Sequence, residues 1–195
     1  MDFFLQLKSK YNDIPKEVRR FLVRAIVVFI TWKLIYHLFL FSNRVIDAPF
    51  TQIASFGTEQ ILKVVYPQSV FQVKEHYRNY SLTDSSRVYT NIIYKDNKPV
   101  LGIADGCNAL ELIILFCGFI ICIPSNLKRM IIFSFLGICL LYLVNIIRCA
   151  VIGILNINQN KLTDIAHHYI FKLMVYLIIF LIWQAYLKGV NYAKK

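Results

Sequence analysis

The sequence predicts an all-α polytopic membrane protein: about four transmembrane helices, an amphipathic segment and a small extracytoplasmic loop element with a possible short β-hairpin. Three observations predict it. Apolar residues make up 57% of the 195, mean hydropathy is +0.54, and only 17% of residues are charged. The apolar residues fall in runs close to the ~20 residues that cross a hydrocarbon core. The basic residues cluster beside those runs, as at the cytoplasmic ends of membrane spans. Disorder, a coiled coil and a soluble globule are excluded by the same arithmetic.

The elements follow in order. Residues 1–20 carry Lys8, Lys10, Lys16, Arg19 and Arg20 against Asp2, Asp13 and Glu17. They read as a cytoplasmic amphipathic N-terminus, and the apolar run after them lacks a small-residue cleavage site, so it reads as a retained anchor. That run, 21–41, is the first expected crossing. Residues 43–106 hold seven basic and six acidic side chains and read as the extracytoplasmic cap. Within the cap, Pro49–Tyr66 is amphipathic, with Ile53, Phe56, Gln60 and Leu62 among polar neighbours, and reads as lying on the outer surface or dipping into it. A fifth full crossing here would reverse the sides of everything downstream, against the charge placement. Arg87–Tyr94 is rich in Val, Tyr, Thr and Ile. Lys95–Lys98 reads as a turn, and Pro99–Ile103 as a returning strand. Three further crossings are expected at 107–123, 130–155 and 165–187, and 188–195 is a basic cytoplasmic tail. Pro124 ends the second crossing. Asn79-Tyr80-Ser81 matches a glycosylation sequon.

The net charge of +11 does not point to nucleic acid, because the cations flank apolar runs; the expected partner surface is lipid. The five cysteines, Cys107, Cys117, Cys122, Cys139 and Cys149, form no CxxC pair and no metal-ligand spacing. No metal or organic cofactor is implied.

With this topology, reactive side chains converge in depth. Cys107 starts the second crossing at the outer surface. Arg148 lies 19 residues beyond Arg129, which at ~1.5 Å per residue is ~28 Å, close to the full hydrocarbon thickness. His167 and His168 open the last crossing on the same side. A thiolate is a nucleophile whose pKa falls at a helix start or beside an imidazole. A histidine takes the thiol proton and returns it to a leaving amine. An arginine stays charged and stabilises an oxyanion or grips a carboxylate. Asn145 makes the Arg148 face polar, and an arginine inside a membrane protein is a functional hypothesis by default. Glu111, one turn after Cys107, reads first as a carboxylate paired to a cation of the bundle and otherwise as the group that orients Arg148 or a histidine. Asp105 and Asn108 flank the cysteine and shape its turn. The reaction class is acyl transfer through a thioester.

The set Asp105-Gly106-Cys107-Asn108-Ala109-Leu110, then Asn145-Ile146-Ile147-Arg148, then His167 opening a last apolar helix, resembles the exosortase/archaeosortase family, in its short Gly-Cys-Asn form. The resemblance covers about residues 100–187. It implies a membrane cysteine protease/transpeptidase at the outer face of the cytoplasmic membrane. Its partners would be exported proteins with a C-terminal sorting signal: a short motif, a transmembrane helix and a basic tail. It implies Cys107 as nucleophile, Arg148 as essential cation and His167 as acid/base, with His168 the fallback. Ala109 departs from the family, which often has glycine there. The other reading is a non-catalytic transport or assembly component, in which Arg148 and the histidines form a polar path or partner contact. A transporter is expected to show repeats and broken helices at the midplane, and neither is visible.

Overall fold

This computed structural model describes residues 15–40, 44–79, 87–123 and 125–188. The expectations placed on 1–14, Pro124, 189–195 and the sequon at Tyr80 and Ser81 lie outside the described residues.

Helix α1, Lys16–Ile35, starts after Pro15, which has no backbone N–H to leave unsatisfied. Glu17 in its first turn and Lys33 in its last complement the helix dipole. A π-wound turn, Tyr36–Leu40, extends it. No residue of α1 is buried against the rest of the chain.

Helix α2, Asp47–Val65, turns its small and polar face inward. Thr51, Ala54, Ser55, Thr58 and Leu62 are buried, while Ile53, Phe56 and Val64 are exposed. The Pro49–Tyr66 segment is therefore amphipathic in the sense opposite to a soluble surface helix. Small side chains allow close helix approach, the usual interface chemistry of membrane helices. At Gly57 the approach is closest: a Cβ there would lie 2.8 Å from Ile146 Cδ1.

Three strands follow: β1 Phe71–Asn79, β2 Arg87–Lys95 and β3 Lys98–Ala104. They form one antiparallel sheet in the order β1-β2-β3. Phe71 pairs with Lys95, and β2 pairs with β3 from Thr90↔Ala104 to Lys95↔Lys98, with an irregularity between Ile93 and Tyr94. Asp96 and Asn97 close the second hairpin with φ of 49° and 66°. Two successive left-handed residues give the twist that suits a two-residue hairpin. Phe71, Ile93 and Ile103 pack with Leu62 of α2.

After β3, a 3₁₀ turn, Asp105–Cys107, leads to α3, Leu110–Cys122. The longest helix, α4, covers Leu127–Ile157, and its N-cap Asn126 accepts from the Lys128 N–H at 3.1 Å. A short helical segment, Thr163–Ile165, and a π-wound turn, Ala166–Ile170, precede α5, Phe171–Leu187. The main core lies between α3, α4 and α5, with Phe116, Ile120, Leu141, Val175, Ile179 and Tyr186 at its centre. Gly137 of α4 lies under the Phe116 ring, where any Cβ would overlap it.

The structure corrects the predicted four-crossing fold. Among the described residues, two helical stretches are long and apolar enough to cross a membrane: Lys16–Leu40, with 25 residues, and Leu127–Ile157, with 31. Helix α3 has 13 residues, ~20 Å at ~1.5 Å per residue, against a core of ~30 Å. Helix α5 has 17 residues. The physical reason is at the helix starts. The apolar run beginning at Cys107 loses its first turn to the 3₁₀ segment and to Ala109, which is left-handed at φ 67°. The run beginning at Ile165 is divided between the π-wound turn Ala166–Ile170 and the 17-residue α5, so its regular α-helical part falls short of a crossing. The expected hairpin is present as β2 and β3, and β1 adds a third strand that was not expected, with its charged residues Lys74 and Glu75 exposed.

Candidate nucleophile site

The chain places Cys107 at the end of the 3₁₀ turn, half-buried, and pins both sides of it. On the far side, Asn145 Nδ2 of α4 donates to the Cys107 carbonyl oxygen at 3.0 Å. Asn145 is 2% exposed, so this bond is shielded from water and fixes the backbone beside the thiol. One turn further along α4, Cys149 is buried in the cluster against which Cys107 packs. Arg148 donates from Nη1 to Asn145 Oδ1 at 3.5 Å, a long contact. Its Nε is buried and, among the described residues, has no hydrogen-bond partner. The guanidinium therefore retains donor capacity beside the thiol turn.

Asn108 follows the cysteine and is 1% exposed. Its Oδ1 accepts from the Leu110 N–H at 2.9 Å, satisfying one orphan donor at the start of α3. Its Nδ2 donates to Asp47 Oδ1 at 3.1 Å and to the Asp47 carbonyl at 3.3 Å. Asp47 in turn accepts from the Tyr36 hydroxyl at 2.7 Å, tying the end of α1 to the site.

Asp105 precedes the cysteine by two residues. Arg44 grips it with two parallel bonds, Nε to Oδ2 at 2.7 Å and Nη2 to Oδ1 at 2.9 Å. Thr51 Oγ1 donates to the same Oδ1 at 2.7 Å. Arg44 also reaches Glu75 Oε1 of β1 at 2.6 Å and lies over the Tyr89 ring at 3.7 Å from its centroid. The bonds to Asp105, against burial and with help from Glu75, raise the Arg44 pKa above its ordinary value, so the group stays charged.

The expected residues sort as follows. Cys107, Asn108, Asn145 and Arg148 come together. His167 stands on the π-wound turn, partly buried, next to Ala166. Ala166 packs with Ile152, which is one turn beyond Arg148 on α4, and Leu101 joins that cluster to the one holding Cys107. His168 shares the π turn; its side chain lies outside the described set. Glu111 is not drawn in: it is exposed on the first turn of α3. The two π-wound stretches hold Tyr36 and His167, and such windings often mark functional sites. Among the described residues, no group of three or more His, Cys, Asp or Glu is placed to hold a metal ion.

Sequence reasoning missed Arg44, Asp47 and Thr51. A signal was present: Asp47, Thr51, Ser55 and Thr58 recur at helical spacing, so the polar stripe of α2 marks a packed interior rather than a wet face. The chain matches no known protein family, no curated protein and no solved structure.

Proposed function

We propose that the protein is an exosortase-like cysteine peptidase or transpeptidase of the cytoplasmic membrane, with its site at the outer face, cleaving the C-terminal sorting signals of exported proteins. The observation that carries the reading is the thiol turn: Cys107 sits half-buried, its carbonyl fixed by Asn145, beside an Arg148 guanidinium with one long contact of its own. Fixed geometry beside an incompletely paired cation is what acyl transfer requires of a nucleophile and its oxyanion partner.

In this reading His167 takes the Cys107 proton, and the sulfur attacks the carbonyl carbon of the scissile peptide bond. Arg148 stabilises the negative charge that develops on the carbonyl oxygen. The C–N bond breaks, the leaving amine takes the proton from His167, and a thioester remains on Cys107. An incoming amine or water then attacks the thioester and restores the thiol. The two apolar helices that are long enough to span lipid keep the site beside a substrate that is itself membrane-anchored.

The test is co-expression of wild type, Cys107→Ser and Cys107→Ala with C-terminally anchored candidate substrates carrying a basic tail, followed by gel shift. Wild type shortens a substrate, and both variants stop doing so while remaining folded in the membrane. Normal processing by Cys107→Ala would end the thiol mechanism and leave a non-catalytic transport or assembly role as the reading to pursue.

A further inference from the structure

Arg44 belongs to none of the groups a thioester mechanism needs, yet its side chain is bonded on several sides near the thiol turn. It contacts three separate parts of the fold: Asp105 in the nucleophile turn, Glu75 on β1 and Tyr89 on β2. Its side chain is 15% exposed, and the ion pair with Asp105 is 22% exposed on the acid's side. Its backbone is held at φ 51°, a left-handed conformation unfavourable for a residue with a Cβ. Strain of this kind persists where surrounding contacts over-determine it. The contacts that do so here are the two bonds of the guanidinium fork, a geometry lysine cannot reproduce.

The electrostatics of the turn give the arrangement a purpose. Asp105 is two residues from Cys107, and a bare carboxylate there would oppose a thiolate and repel an anionic intermediate. Asp47, close by through Asn108, adds a second acid. Arg44 is the cation bonded directly to the Asp105 carboxylate, while Arg148 reaches the turn through Asn145 of α4.

We propose that Arg44 is a positioning residue for the nucleophile: it locks the Asp105–Cys107 turn and cancels the charge of Asp105 beside the thiol. The inference rests on the reading of Cys107 as the nucleophile, but its test needs no substrate. Membranes containing the full chain are treated with a cationic and an anionic methanethiosulfonate of similar size. Mass spectrometry of the Cys107 peptide gives each modification rate. Removing one compensating charge at contact range in a partly wet site raises the cationic-to-anionic rate ratio about five- to tenfold. That is the expectation for Arg44→Gln. Arg44→Lys keeps the charge and keeps the wild-type ratio. The double variant Arg44→Gln, Asp105→Asn removes both charges and returns the ratio to within about twofold of wild type.

A purely structural arginine would change the two rates together and leave the ratio alone. A folded Arg44→Gln with a wild-type ratio overturns the proposal. If Arg44→Gln does not fold but the double variant folds with a near-wild-type ratio, the proposal stands, because the defect is then the uncompensated acid. If neither folds, the proposal is overturned in favour of a general scaffold role. Loss of the substrate-processing reading through Cys107→Ala would leave the ratio measurable, so the two failures are distinguishable.

Discussion

Two arginines on one helix have opposite surroundings. Arg129, near the start of α4, donates from Nη2 to the carbonyls of Ala185 and Tyr186, both at 2.9 Å. Its guanidinium also lies over the Phe133 ring, 4.7 Å from the centroid. It thereby closes the C-terminal end of α5, where orphan carbonyls and the dipole both favour a cation. Arg148, 19 residues on, has among the described residues a single 3.5 Å contact, to Asn145. Among the described residues both leave Nε without a partner, so the contrast lies in the terminal nitrogens. The lesson is that an arginine in an apolar helix is structural when the fold supplies its acceptors. It is available for chemistry when the fold brings it to a reactive group and stops short of pairing it.

The largest effect that would sharpen or break this contrast comes from removing each charge. Under the proposed peptidase reading, Arg148→Gln lowers substrate processing by about 100-fold or more, as loss of an oxyanion donor does, and changes stability by less than about 1 kcal/mol. Arg129→Gln does the reverse: it destabilises by about 1–3 kcal/mol through its lost carbonyl acceptors, with processing per folded molecule unchanged. Gel-shift rates and thermal unfolding in micelles read the two quantities. Equal sensitivity of processing to both substitutions would erase the distinction.

The neighbouring asparagines extend the comparison on a smaller scale. Asn145→Ala frees the Cys107 carbonyl and slows processing about tenfold, at a stability cost of about 1 kcal/mol. Asn126→Ala, at the N-cap of the same helix, costs about 1 kcal/mol as well, yet leaves the processing rate alone. Matched unfolding temperatures with divergent rates are the expected result.

The smallest effect is a gain. Ala109 occupies a left-handed conformation with φ 67°, where a Cβ costs about 1–2 kcal/mol. Glycine relieves that strain but adds freedom to the unfolded chain, so Ala109→Gly stabilises by about 0.5–1 kcal/mol with processing retained. A lower unfolding temperature would show that the Ala109 methyl, 6% exposed, contributes more through packing than it costs in strain.

These contrasts also show what the sequence made legible. Apolar runs marked where helices lie, because hydrophobic patterning is a property of the chain itself. They did not mark helix ends. The break lies at Ala109, beside the buried bonds of Asn108, and the π winding at Ala166–Ile170 lies against Ile152 of α4. Runs of crossing length thus became helices of 13 and 17 residues. The trio Cys107, Asn145 and Arg148 was legible because its residue types are rare in apolar helices and therefore conspicuous. Arg44, Asp47 and Thr51 were harder to read, since polar residues in a polar stretch carry no such contrast. The helical spacing of Asp47, Thr51, Ser55 and Thr58 was the signal, and burial shows that this stripe faces inward. Glu111 shows the converse: helical spacing put it on the right turn, and the fold left it exposed.

The bond from Asn145 to the Cys107 carbonyl has a consequence in time as well as space. Its partners are 38 residues apart in the chain. At ~5–20 residues per second, a ribosome needs about 2–8 s to deliver Asn145 after Cys107. Asp47 and Arg44 leave the ribosome well before the thiol, so the half of the turn they hold is ready first. The nascent chain thus carries its sulfur on a half-built turn until α4 arrives. A chain truncated before residue 145 would hold Cys107 without that anchor.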